Sequence, residues 1–237
     1  MKNLSLVFAF IFLFFTSLSA QNRFVGGAFV GLNLAQIDGD YQQGYRKKMF
    51  TGGIRAAMIL TRNFDIGTEL IYNGKGSEPN PTEKSSRYPS FYMTMHYAEA
   101  ALMANIHFDE GEDGYNQKTV HLGISYGRLL RSSTNISKFN LLDTVGTNLF
   151  LQENLKNTDV NLIIGFSYRF TPKIGVSVRH SYSIMPFFER PIPQNKRTTQ
   201  RDYYLGRSYF LSFHLFYDLW TPELRKAKKK RKTATQR

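Results

Sequence analysis

Several groupings in this 237-residue chain contain residue types that can do chemistry. His96, the serines around Ser132 and Asp143 are the types with which a histidine base activates a hydroxyl for acyl transfer or hydrolysis. No spacing fixes them relative to one another, and polar loops carry such residues by composition. No catalytic residue is assigned, and the chain is read as not being an enzyme. The run Asp109-Glu110-Gly111-Glu112-Asp113-Gly114 offers the oxygen ligands that calcium takes. Its spacing misses the EF-hand pattern, so it reads as a solvated acidic turn. His107, His121 and His214 stand isolated on separate segments, and neither a metal nor a cofactor site is assigned. Asp38-Gly39-Asp40 with Gly44-Tyr45 reads as loop architecture, where glycines permit tight turns and carboxylates cap backbone amides.

The charges inside the alternating segments form a more coherent set. Arg55, Asp65, Glu69, Glu99, Arg169, Arg179 and Asp218 each fall on the polar side of a period-two pattern. Mixed signs on one side suit pairing within a narrow enclosed space. Arg55, Arg169 and Arg179 against Glu69 and Glu99 are therefore expected to form a buried ion network with a structural role, because unpaired charges there are too costly.

The elements that would position these residues are strands. Val160, Leu162, Ile164, Phe166, Tyr168 and Phe170 oppose Asn161, Gly165, Ser167 and Arg169, with Ile163 alone breaking the pattern. The last segment repeats it, with Tyr209, Leu211, Phe213, Leu215, Tyr217 and Leu219 against Ser212, His214 and Asp218. About eight such strands are expected, over 23–37, 50–60, 64–76, 91–108, 118–131, 158–170, 173–187 and 205–219. Each has about the ten residues that a tilted strand needs to cross a bilayer. Their connections alternate between tight turns (Thr61-Arg62-Asn63, Thr171-Pro172) and long loops (38–49, 77–90, 132–157, 188–204). That is the plan of an all-β, closed antiparallel transmembrane barrel, with its turns and both termini in the periplasm. A soluble barrel of the lipocalin type would carry the same periodicity with its apolar side inward. Phe64, Phe108, Phe170, Tyr72, Tyr126 and Tyr182 near strand ends resemble two interfacial aromatic girdles and favour the membrane reading.

Composition agrees. The chain holds 20 Phe, 14 Tyr and 18 Gly, yet its mean hydropathy is −0.35. The absence of cysteine excludes a disulfide scaffold and a cysteine-linked lipid anchor. Residues 1–20 read as a signal peptide: Lys2 precedes the apolar stretch Leu4 to Phe15, and small residues lead to Ala20. The barrel is assigned to 21–220. Residues 221–237 form a basic tail with eight positive charges against Glu223, and they supply +7 of the net +13. Charge so concentrated argues against nucleic acid as a partner. Lys226, Lys228, Lys229, Lys230, Arg231 and Lys232 are instead candidates for docking to acidic partners or headgroups in the periplasm.

Val30-Gly31-Leu32-Asn33-Leu34-Ala35-Gln36-Ile37-Asp38-Gly39-Asp40, then Gly44-Tyr45-Arg46-Lys47 and Gly52-Gly53, resemble the opening of the PorT-like outer-membrane β-barrel family of Bacteroidota. Tyr97-Ala98-Glu99-Ala100-Ala101-Leu102-Met103 looks like that family's Tyr-Leu-Glu-Ile-Pro-Leu-Leu strand, with alanine where proline is usual. Leu122 to Gly127 and Asp159 to Phe170 also fit. The resemblance covers nearly the whole mature chain and implies outer-membrane lipid as surroundings. It also implies a structural or accessory part in an envelope secretion or assembly system, with envelope proteins as partners. The alternative is a narrow channel, or a surface receptor that binds through its outer loops.

Overall fold

The structure, a computed structural model, describes residues 23–38, 44–79, 90–110, 115–137, 155–186 and 206–220. Eight antiparallel strands form one closed barrel in sequence order: β1 (Phe24–Asp38), β2 (Lys47–Thr61), β3 (Phe64–Ser77), β4 (Ser90–Glu110), β5 (Asn116–Ser137), β6 (Thr158–Arg169), β7 (Ile174–Ser183) and β8 (Arg207–Trp220). Closure is made by β8 against β1, from Asp38↔Arg207 to Gly26↔Trp220. Within the apolar band it leaves each described strand paired on both sides, as a bilayer requires.

The register fixes the barrel's dimensions. Following paired residues from Gly26 through Ala56, Thr68, Leu102, Ile124, Leu162, Tyr182 and Tyr209 returns the path to Gln36, a stagger of ten residues. With a rise of about 3.3 Å per residue and strands about 4.8 Å apart, this stagger sets a tilt of about 40° and a backbone radius of about 8 Å. Such a cylinder has room for its own side chains and little else.

Burial is inverted relative to a soluble protein. Leu70 is 60% exposed and Ile164 57%, while Lys75 and Asp218 are wholly buried. Exposed apolar side chains recur on every strand, among them Val30, Ile54, Leu102, Leu122, Val178 and Leu215. The apolar face therefore looks outward and the polar face lines the interior, opposite to the lipocalin arrangement. Phe24, Phe108 and Phe170 are exposed toward the short-turn end, and Phe50, Tyr72 and Tyr126 toward the long-loop end. The tilt and rise separate these two sets by roughly 22 Å along the axis, close to the ~25 Å apolar band of outer-membrane barrels. Phe64 and Tyr182 sit in the same girdles but are half-buried.

Two departures from the expected strands have physical reasons. β5 runs on to Ser137, past its pairing with β6 at Arg128↔Thr158, because β4 continues to supply a ladder as far as Ser90↔Ser137. Ser132-Ser133-Thr134-Asn135 lies beyond the apolar band, so no alternation marks it. β7 stops at Ser183, whose hydroxyl oxygen lies 2.7 Å from the Met185 carbonyl oxygen as the chain leaves the sheet. Ile163 breaks the alternation because it packs inside, in a small apolar belt with Phe29, Ile71, Ala101, Met103 and Phe216.

Candidate functional site

The interior gathers charged and titratable groups in three layers. Near the long-loop end, Lys75 on β3 reaches Glu99 on β4 at 2.6 Å and Asp159 on β6 at 2.7 Å. Asn161 accepts a further bond from Lys75 at 3.2 Å, Ser125 donates to Glu99 at 3.0 Å, and Ser183 donates to Asp159. The Lys75 ammonium lies 4.7 Å from the Tyr97 ring centre and 5.0 Å from that of Phe210. Met93 and Met95 are fully buried toward the same end.

The middle layer holds a bidentate pair. Arg179 on β7 donates to both oxygens of Glu69 on β3, at 2.5 and 2.9 Å, so it spans the lumen. It does so beside the apolar belt, with its guanidinium 5.6 Å from the Phe29 ring. Asn33 donates to Asn73 at 2.5 Å and accepts from Ser212 at 2.7 Å.

Toward the short-turn end, Arg55 on β2 and Arg169 on β6 converge on Asp218 of β8, the second at 3.3 Å. The two guanidiniums lie 4.3 and 5.4 Å from the Phe216 ring. A side-chain chain completes the layer. Asp65 takes bonds from His107 and Asn105, each at 2.5 Å, and His107 contacts Thr119 at 2.9 Å. His121 lies 2.6 Å from Asn105 and 2.9 Å from Ser167. The cavity left among Asp65, His107, His121, Arg55 and Arg169 is about 20 Å³, room for about one water.

The packing rests on large residues placed opposite glycines. Met103 pairs across the ladder with Gly123, Arg179 with Gly165 and Phe216 with Gly175. A Cβ at Gly175 would stand 2.4 Å from the Phe216 ring, and one at Gly165 would stand 2.6 Å from Cγ of Arg179. Bulk on one strand is matched by its absence on the next, which lets side chains cross a lumen of this radius.

The five network residues singled out from the sequence are all interior. Glu69 has its arginine in Arg179, whereas Arg55 and Arg169 meet Asp218, and Glu99 is paired with Lys75. Lys75 and Asp159 were missed as network members. Their signal was parity, since Lys75 shares a face with Glu69 and Asn73, and Asp159 with Asn161 and Arg169. His107 and His121 belong to one polar chain on neighbouring strands. His214 packs on Phe29 with ring centres 4.8 Å apart and approaches Ser177 at 3.3 Å. Among the described residues, no group of three His, Asp or Glu side chains is arranged to hold a metal.

His96 lies on the outward face, stacked on Tyr72 and bonded to its hydroxyl at 2.7 Å. Asp143, Gly111 to Gly114, Gly39-Asp40, the leader and the tail from 221 lie outside the described residues.

Comparison with known proteins accords with this geometry. No curated protein matches the chain. Solved structures with a similar course include Ail of Yersinia pestis, in complex with the heparin analogue sucrose octasulfate (9% identity, 83% of this chain and 99% of that chain, TM-score 0.41). OprG of Pseudomonas aeruginosa (8%, 85% and 98%, 0.40) and outer membrane protein W of E. coli (16%, 81% and 97%, 0.32) are others. The family described as outer membrane protein beta-barrel domain matches residues 19–189. With that match over most of its length, an outward apolar band and a polar interior, the chain belongs to the outer membrane protein beta-barrel domain family and is an outer-membrane β-barrel protein.

Proposed function

We propose that this barrel is a non-conducting structural or accessory subunit of an envelope secretion or assembly system, acting through its two ends rather than through its lumen. The observation that carries the reading is the filled interior. Among the described residues, three ion-paired layers and an apolar belt occupy the lumen, and the cavity beside Asp65, His107 and His121 is only about 20 Å³. A barrel filled in this way is suited to act by holding other molecules at its two ends. The resemblance to PorT-like barrels points the same way.

In this reading the chain is exported through cleavage after Ala20, and both termini lie in the periplasm. The tail residues Lys226, Lys228, Lys229, Lys230, Arg231 and Lys232 then dock to an acidic envelope partner. Truncation after Thr221 tests this, because residues beyond β8 add nothing to the ladder. The truncated barrel is expected to insert normally and to lose proteins that co-purify with the full chain. Salt above ~0.5 M, which screens exposed charges beyond a few Å, should mimic the loss. A truncated barrel that retains the same partners and supports the envelope process overturns the docking role.

A second reading is favoured by one feature, the β4–β5 ladder that continues beyond the apolar band to Ser90↔Ser137. A two-stranded projection at the long-loop end suits a receptor that contacts a partner outside the cell. Binding of an outer partner that disappears when 90–94 and 132–137 are replaced by a short turn would support it.

A further inference from the structure

The outward face of the barrel has a groove that the filled lumen does not explain. It has a volume of about 750 Å³ and is lined on its outer side by residues including Ile54, Leu70, Ala100, Leu102, Ile124 and Tyr126. The depression exists because β4 presents methyl groups where its neighbours present bulk. Ala100 pairs with Leu70 on one side and Tyr126 on the other, and Ala98 pairs with Tyr72 and Arg128. The walls are apolar and exposed, at the depth where acyl chains lie. The proline expected at position 101 by family resemblance is alanine here, and it faces the lumen.

The mouth of the groove is cationic. Arg128 stands directly across from Ala98, one outward step above Tyr126, and Arg131 is paired across the ladder with His96. Both guanidinium residues are exposed, just beyond the Phe50, Tyr72 and Tyr126 girdle. Asp65 and Glu69 on β3, Glu99 on β4 and Asp159 on β6 all point into the lumen. At headgroup level the outward face carries Arg128 and Arg131, with Glu78, just past β3, as an exposed acid at the same end. An apolar trough of acyl-chain depth that ends in two arginines and an aromatic girdle is complementary to one chemistry: a hydrocarbon chain carrying a phosphate at the interface.

We propose that this groove seats an acyl chain of lipid A, the phosphorylated glycolipid of outer leaflets, with Arg128 and Arg131 on its phosphate. The choice of leaflet rests on the reading above that the long loops face outward. Arginine supplies paired donors to phosphate oxygens, and the adjacent Tyr72–His96 pair supports the headgroup from the side.

Native mass spectrometry of the folded full chain in mild detergent, after incubation with lipid A, tests the proposal. The wild-type barrel is expected to retain one lipid A. Ala100→Phe, which fills the groove, and the double variant Arg128→Gln/Arg131→Gln should each lower the retained fraction at least tenfold. Arg128→Lys/Arg131→Lys should recover part of it, and Leu215→Phe on β8 should have no effect. Heat-modifiable mobility of each variant shows that it folds. Equal retention by all variants overturns the proposal, as does equal retention of phosphatidylethanolamine. A wild-type dimer that Ala100→Phe turns into a monomer assigns the groove to a second copy and also overturns it. Preference for phosphatidylglycerol over lipid A, with the same loss on substitution, keeps the groove but rejects the outward placement of the long loops. Protease accessibility of those loops in whole cells then separates failure of the orientation from failure of the lipid site.

Discussion

Replacing Arg179 with Met is the sharpest perturbation of the filled lumen. Glu69 is 5% exposed and takes both of its strong bonds from this one guanidinium, at 2.5 and 2.9 Å. Removing the arginine leaves a buried carboxylate whose nearest remaining cation is Arg55, its neighbour across the β2–β3 ladder, which is already engaged by Asp218. Breaking a buried pair on one side costs about 3–5 kcal/mol, because the desolvation penalty of the remaining charge stays unpaid. That is about 10²- to 10³-fold in the folded-to-unfolded ratio, at about 1.4 kcal/mol per tenfold. The double variant Arg179→Met/Glu69→Leu removes both charges and should cost markedly less than either single change, since apolar replacement of a whole buried pair is often near neutral. The assay is reversible denaturant unfolding in lipid vesicles, read by tryptophan fluorescence and heat-modifiable mobility. A single-variant loss under about 1 kcal/mol, with additive effects in the double, would mean that water already solvates Glu69, and the plugged lumen would be wrong.

Ile164→Lys, placed near the middle of the apolar band, should cost about 2–4 kcal/mol, whereas Phe170→Lys on the same face at the girdle should cost about 0–1 kcal/mol, both by unfolding in lipid. Ser167→Lys should also impair folding, because Ser167 is buried and bonded to His121 at 2.9 Å, beside a cavity of only about 20 Å³. Gly175→Ala should lose about 1–3 kcal/mol by forcing a methyl against the Phe216 ring and the Tyr168 carbonyl oxygen, and Phe216→Leu in the same chain should return only the part due to the ring. The full chain should run faster before boiling than after, because a closed barrel has no edge from which to unravel, and identical mobility would contradict closure.

The architecture was legible because lipid outside and packed polar groups inside impose a strict period of two on strands such as β6 and β8. The tight turns at Thr61-Arg62-Asn63 and Thr171-Pro172 set the strand order. What escaped reading follows from where that period is not enforced. β5 beyond Arg131 leaves the bilayer and continues its ladder with β4, where no apolar alternation is enforced, so Ser132 to Ser137 reads as loop. Ile163 breaks the pattern because an inward apolar belt has no counterpart in a rule that makes the interior polar.

The ion network was legible as a set of charges on one face, but its pairing was not. Which partner Arg55 or Glu99 meets depends on the ten-residue stagger around the barrel, a property of closure that no single strand records. The same stagger brings Lys75 and Asp159, 84 positions apart, to within hydrogen-bond distance. His107 and His121 looked isolated in sequence and are joined through Asp65 and Asn105 for the same reason. The groove on β4 was visible only as a run of alanines, and its depth required the bulk of Leu70 and Tyr126 on the neighbouring strands.

The most direct test of the filled barrel is single-channel recording on the folded full chain in planar bilayers. No stepwise conductance is expected over the physiological voltage range, and none should arise on removing the tail after Thr221. Arg179→Met/Glu69→Leu should also stay silent, since the belt of Phe29, Ile71, Met103 and Phe216 still closes the lumen. Steady ohmic steps from the wild-type protein would contradict the account.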